Sequence, residues 1–506
     1  MEGREKGGNV LRAWRAVCIA KGATGILQLA FGRNYAGLPL SIDRSPSSGT
    51  FEPQEYDEIR DKPAADMEKP ALAQDPFSNS AAASFRTASY HSQPSDRQPA
   101  RRQQFKSYRL NGEYERPWLA DSRLKRSRVG TYIIWGFIVL GLAISAYINF
   151  TVTQKVSKHQ YCLVLDDHFT SLNEDTWNRE VQIGGFGTGA FDWTTTDEKN
   201  TFVDGDGLHI VPTLTTETTS INEEQLLNGY TLNLTKAGGD GTCTADTNAA
   251  CSIRSNKTTG AIIPPVRSAR LNTKGKKSIR YGRVEVVAKM PKGDWLWPAI
   301  WMLPVNETYG AWPTSGEIDI VETRGNDVDY VVGGRDIMSS SLHWGPTPET
   351  DSFWRSTRGK SLRRTDYSKG FHTFGIEWSK DYLFTYIDSP LQQVLYWSFD
   401  KDQTMWQKGH YEGVTVNSSL VKDPWSQTGN PNTPFDQPFF LVMNVAVGST
   451  NGWFPDGKGG KPWTDVGQAA SDFYSSLSKF YPTWPKDSSR GMTVKSVRMW
   501  QEGACG

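Results

Sequence analysis

Metal-ligand spacing is missing from this chain. Five cysteines and seven histidines in 506 residues form no cluster with the short Cys/His spacings of a zinc site. A basic surface is missing too. Residues 151–506 carry 35 Lys and Arg against 40 Asp and Glu, which excludes a folded part built to neutralise nucleic-acid phosphates. No segment repeats at a fixed period, so a solenoid or propeller is excluded. Helical periodicity is scarce after residue 150, where the pattern predicts one short helix near Val466–Phe480. Long apolar runs are scarce as well: there is one, Val129–Phe150, with no charge in it.

That run is long enough to span hydrocarbon as a helix. Arg123, Lys125, Arg126 and Arg128 precede it, while only Lys155 and Lys158 follow closely, so the positive-inside rule places the N-terminus in the cytosol. The expectation is a single-pass type II membrane protein with a retained signal-anchor. Everything after the span would be luminal or extracellular, in the secretory pathway or at the plasma membrane. Residues 1–128, with 21 basic and 15 acidic residues and much Ser, Pro and Gln, read as a cytosolic disordered basic tail. Its last basic stretch would either lie against an anionic leaflet or serve as a solvated linker. Residues 151–160 read as a linker and 161–506 as the folded domain. Cys18 precedes the span, whereas Cys162, Cys243, Cys251 and Cys505 follow it and can pair completely in an oxidising lumen. Five N-x-S/T sequons, at Asn149, Asn233, Asn256, Asn306 and Asn417, with none in 1–128, agree with secretory exposure.

What fills the region after Tyr161 is a series of short β-rich runs between Gly/Pro turns. They are 207–213, 283–290, 316–323, 372–379, 383–388, 439–448 and 494–501. Such a series predicts an all-β sandwich or barrel. Sixteen of the 19 Trp lie after residue 150, and flat indole faces in a mildly acidic domain suit sugars better than polyanions.

The segment Ser315–Arg324 (SGEIDIVETR) interleaves Glu317, Asp319 and Glu322 with Ile318, Ile320 and Val321. In a helix the two glutamates would diverge. In a regular strand Glu317 and Asp319 share a face and Glu322 points the other way. One extra residue, a β-bulge at Ile320–Val321, returns Glu322 to their side. Closely spaced carboxylates are what a retaining glycosidase uses, one as nucleophile and one as acid and then base. A solvated acidic strand, or a calcium site, would use the same residue types. Upstream, Trp297 and Trp301 are four apart and so on one face of a strand, placed either to stack on pyranose rings or to pack a core. Downstream, His343 is flanked by aromatics, either hydrogen-bonded to a carboxylate or structural.

Tyr281–Pro304, Gly316–Glu322, Leu342–Gly345 and Pro434–Gly448 together resemble glycoside hydrolase family 16, in its fungal laminarinase and β-1,3-glucan-binding-protein-like branch. The resemblance covers essentially 161–506. It implies a concanavalin A-like β-jelly-roll sandwich with a concave cleft, and a retaining mechanism on β-glucan. It further implies Glu317 as nucleophile, Glu322 as acid/base and Asp319 as the assisting carboxylate. Trp297 and Trp301 would be aromatic subsites, His343 would lie near the acid/base, and Asn200 and Asn444 would face the cleft. It implies no cofactor, and allows a structural calcium at Asp166 or Asp167. The chain departs from the pattern at Ala190, where many members have an acidic or amide residue, which bears on linkage preference. Members that only bind glucan typically lack the two glutamates. The expected activity is therefore endo-β-1,3-glucanase or β-glucan transglycosylase, with a non-catalytic glucan-binding scaffold as the alternative. Of the three ways to pair four cysteines, Cys243 with Cys251, across a short polar loop, and Cys162 with Cys505, at the domain's two ends, are expected.

Overall fold

The computed structural model describes residues 107–109, 111–153, 159–399 and 401–505. The chain divides into two units, Met1–Glu113 and Tyr114–Gly506. Nearly all of the first, with Cys18 and most of the expected tail, lies outside the described residues. In the second unit, Ser122–Thr153 is one continuous helix of 32 residues. Among the described residues it is the one helix long and apolar enough to cross a membrane, with a mean hydropathy of 2.0 in its most apolar window. It is longer than the apolar run because the basic flank 123–128 continues the same helix.

Fifteen strands form two antiparallel sheets. In chain order they are β1 (Tyr161–Asp167), β2 (Asn178–Glu180), β3 (Thr201–Asp204), β4 (Gly207–Ile210), β5 (Arg270–Asn272), β6 (Gly282–Lys289), β7 (Leu296–Pro304) and β8 (Glu317–Thr323). They continue with β9 (Ile337–His343), β10 (Arg358–Ser361), β11 (His372–Trp378), β12 (Tyr382–Ile387), β13 (Gln393–Ser398), β14 (Phe439–Val447) and β15 (Met492–Glu502). The first sheet runs β13-β12-β11-β6-β15-β4-β3, with β1 also on β15, and the second runs β10-β9-β8-β7-β14-β5-β2. Alternation along each strand sends one set of side chains inward. Val284 and Val286, Phe374 and Ile376, and Val497 and Met499 of the first sheet meet Leu296 and Ile300, Ile318 and Ile320, and Met443 and Val445 of the second in one buried cluster. The result is a β-sandwich.

The expected helix near Val466–Phe480 is present as Ala469–Ser475 and Leu477–Phe480. The sequence reading missed short helices at Thr215–Thr218, Glu223–Leu227 and Met405–Gly409. The last two open on capping boxes, Asn222 with Gln225 and Thr404 with Gln407, which start a helix too short to show a period. Cys162 is bonded to Cys505, with Cα atoms 5.0 Å apart, because β1 lies antiparallel against the end of β15. Cys243 is bonded to Cys251 within a satellite core of Val181, Trp193, Leu226, Leu234 and Ile263.

Candidate active site

In the second sheet it is the inner strand β8 that supplies the acids. The chain enters β8 through Gly316, whose φ of +85° is left-handed and open to glycine at no steric cost. Within β8 the register slips. Against β7, Val321 pairs with Ile300 and Asp319 with Trp301, leaving Ile320 unpaired. Against β9, Asp319 pairs with Ser341 and Glu322 with Ser339, so two residues oppose Ser340. This is a β-bulge, and it puts Glu317, Asp319 and Glu322 on one face while Ile318, Ile320 and Val321 enter the core. The carbonyl freed at Ile320 accepts a 2.7 Å hydrogen bond from Ser340 Oγ, which in turn accepts one from Thr385 on the facing sheet.

Each carboxyl has its own donor. Trp312 Nε1 donates to Glu317 Oε2 at 2.7 Å, and Trp297 Nε1 donates to Glu322 Oε1 at 3.0 Å. His343 reaches Asp319 Oδ2 at 3.2 Å through Nε2 and Asp351 Oδ2 at 2.5 Å through Nδ1. Burial and the nearby Asp319 carboxylate push Glu317 up to about 8. Burial and Glu322 push Asp319 up to about 6. Burial raises Glu322 as well, with the charge of Glu317 adding to it. Burial works against a charge on His343, but its bonds to the two aspartates hold it well above the ordinary imidazole value. Three desolvated carboxyls thus share fewer than three negative charges near neutral pH. Ligand atoms of Glu317, Asp319 and His343 lie within 4.8 Å of one another, which among the described residues is the one grouping tight enough for a metal ion. An imidazolium held by two carboxylates has no lone pair to offer a cation, so the group suits proton handling better than metal binding.

The neighbouring strands β7, β14 and β5 carry a second linked group of side chains. Trp301 is half-buried and donates through Nε1 to Asn444 Oδ1 at 2.8 Å. Arg270 lies 4.7 Å over the Trp301 ring and 3.9 Å over Phe186, and pairs with Glu180 at 2.6 Å. Trp301 and Asn444 are therefore tied to one another on neighbouring strands of the sheet.

Two expectations change. Trp297 shares the face of Trp301, but it is 9% exposed and its ring stacks on Trp453 at 4.9 Å, so it acts on Glu322 through its N–H and presents little surface to a sugar. Asn200 is wholly buried, its amide donating to Val211 O, Thr213 Oγ1 and Arg267 O. His343 stands opposite Glu317, with its two ring nitrogens facing Asp319 and Asp351. The two oxygens of Asp167 accept from Phe169 N and Trp177 Nε1, and Asp166 pairs with the exposed His168. Sequence reasoning missed Trp312, Asp351 and Trp453. The Trp-Pro pair at 312–313, five residues before Glu317, was the available signal for the first. Asp351 and Trp453 come from loops and carry none.

The model of glycosyl hydrolases family 16 matches residues 191–437. A β-1,3-glucan-binding protein of Penaeus monodon is 37% identical over 347 residues, covering 67% of this chain and 90% of that protein. A glucan endo-1,3-β-glucosidase of Cryptopygus antarcticus is 37% identical over 182 residues, 36% of this chain and 55% of its own length. Among solved structures, the laminarinase from Rhodothermus marinus is 23% identical with a TM-score of 0.41, over 69% of this chain and 100% of that one.

Proposed function

This chain belongs to glycosyl hydrolases family 16, and on that premise we propose that residues 161–506 are a retaining endo-β-1,3-glucanase or β-glucan transglycosylase domain, carried outside the cytosol by a type II membrane helix. The observation that carries the reading is the bulged strand, which aims three carboxyls into one groove with a separate N–H donor on each terminal glutamate.

In the proposed reaction the Glu317 carboxylate attacks the anomeric carbon as Glu322 gives its proton to the departing glycosidic oxygen, leaving a glycosyl ester on Glu317. Glu322, now charged, takes a proton from water or from a sugar hydroxyl, whose oxygen displaces Glu317. The proton that Glu317 and Asp319 share in the resting site must leave Glu317 before attack. Asp319, standing between the glutamates and bonded to His343, is the group positioned to hold it. Trp312 favours the charged form of Glu317, and Trp297 orients Glu322. Reducing-sugar release from laminarin by the full chain, with product anomers followed by NMR, tests this. The β-anomer is expected first, and initial α-anomer would overturn the nucleophile assignment.

A second reading, non-catalytic glucan binding, draws on the printed name of the Penaeus monodon protein, which this chain matches over most of that protein's length. Retention on β-1,3-glucan without any turnover by the wild-type chain would select it.

A further inference from the structure

Where the edge strands β10 and β13 of the two sheets meet, the surface forms a depression of about 340 Å³. Arg355, Tyr396, Trp397, Gln403, Gln407 and His410 line it, and no described Asp or Glu does. One short turn, Phe353–Arg355, connects it to the active site. Phe353 stacks on the His343 ring at 5.1 Å. Two residues on, the Arg355 guanidinium lies 4.1 Å over the Trp354 ring and its buried Nε has no hydrogen-bond partner. The opposite wall is the helix Met405–Gly409 and the residues after it. The Tyr411 hydroxyl there lies 2.6 Å from Ser352 Oγ and 3.0 Å from Trp344 O, so the two walls are tied together. Trp354 is 60% exposed and Tyr396 56%. Large flat rings left in water beside amide and guanidinium donors, on walls that are already rigid, suit a polyhydroxylated chain. The ring faces meet C–H surfaces and the donors meet hydroxyls.

We propose that this depression is a second glucan-contact site. A β-glucan strand held over the carboxylates leaves the cleft past Phe353 and stacks on Trp354 and Tyr396, while Arg355, Gln403 and His410 donate to its hydroxyls. The proposal rests on the glucan reading of the cleft. It adds that affinity grows with chain length past what the cleft alone can hold.

The test uses the full-length chain in detergent with Glu317→Gln, so that ligand is bound and not cut, and compares polymeric laminarin with a three-sugar β-1,3-oligosaccharide. Adding Trp354→Ala and Tyr396→Ala should weaken laminarin binding about tenfold and change oligosaccharide binding less than about twofold. Arg355→Gln, which leaves both rings in place, should act in the same direction and covers the case in which the double variant misfolds. Equal loss for both ligands, or no loss for either, would overturn the site. So would a loss confined to phosphatidylserine vesicles, which would make the depression a lipid-headgroup contact. If the Glu317→Gln parent itself retains neither glucan, the reading of the cleft fails and this site falls with it.

Discussion

A buried carboxyl takes its task from what donates to it. Glu317 receives the Trp312 N–H and Glu322 the Trp297 N–H, so the same residue type is tuned by two different donors along one strand. Glu317→Gln is expected to abolish turnover by several powers of ten while the fold and glucan binding remain. Glu322→Gln should lose less on substrates with good leaving groups, which need the acid least. Trp312→Phe keeps the ring and removes a donor that favours the charged form of Glu317. Its pH–rate profile should therefore show the acidic limb moved to higher pH, and an unmoved limb would deny Trp312 that role. Asp192 offers a control outside the chemistry. It is buried, accepts a 2.8 Å bond from Val447 N, and is pushed by burial from 3.8 up to about 7. Between those values the folded chain keeps a proton that the unfolded chain has released. The stability this confers is full below the lower value and is lost as pH rises through the upper one. Asp192→Asn should thus change the melting temperature little near pH 4 and raise it above pH 7, where the gain in unfolding free energy is on the order of a few kcal/mol. Equal shifts at both pH values would contradict the sign.

At the scale of elements, the bulge of β8 is where the sequence was most legible. The five-residue offset from Glu317 to Glu322 is incompatible with one strand face unless a residue is inserted, and the registers against β7 and β9 place the insertion at Ile320–Val321. What holds the bulge could not be read. Ser340 and Thr385 are ordinary strand residues in sequence, and only the packing of the two sheets brings the Ser340 hydroxyl to Ile320 O and to Thr385 Oγ1. Ser340→Ala leaves that buried carbonyl without a donor, at a cost of about 1–3 kcal/mol. Thermal unfolding should show the loss, and because the bulge aims Glu322, turnover should fall more than glucan binding. A stable, fully active variant would mean that the bulge needs no such brace. Asn200 misled for the converse reason. An asparagine before a strand looks the same whether its amide turns to a groove or, as here, to three interior acceptors. Trp297 was placed on the right face, but the residue that covers its ring, Trp453, is more than 150 positions away in a loop, and no period links the two.

For the whole molecule the decisive joint is short. The helix ends at Thr153 and β1 begins at Tyr161, so seven residues connect them, a Cα–Cα reach of at most about 28 Å when extended. The Cys162–Cys505 bond locks the last strand to the first just beyond that joint, and pulling on the tether loads the whole first sheet through β15 instead of peeling β1 away. If the helix spans a bilayer, the domain works close to the membrane surface, and the side it faces is set by Arg123, Lys125, Arg126 and Arg128. Asn256, Asn306 and Asn417 are exposed in the folded domain and report that side directly. In intact microsomes, residues 161–506 should resist protease and shift on endoglycosidase treatment after solubilisation. Replacing the four basic residues by Gln should lower the glycosylated fraction, because the charge bias that keeps the N-terminus cytosolic is then gone. A domain that is unglycosylated and digested from the cytosolic side would reverse the topology. The two disulfides would then stand in a reducing compartment, where such bonds rarely persist, so their state in alkylated whole-cell extracts gives an independent reading of the same question.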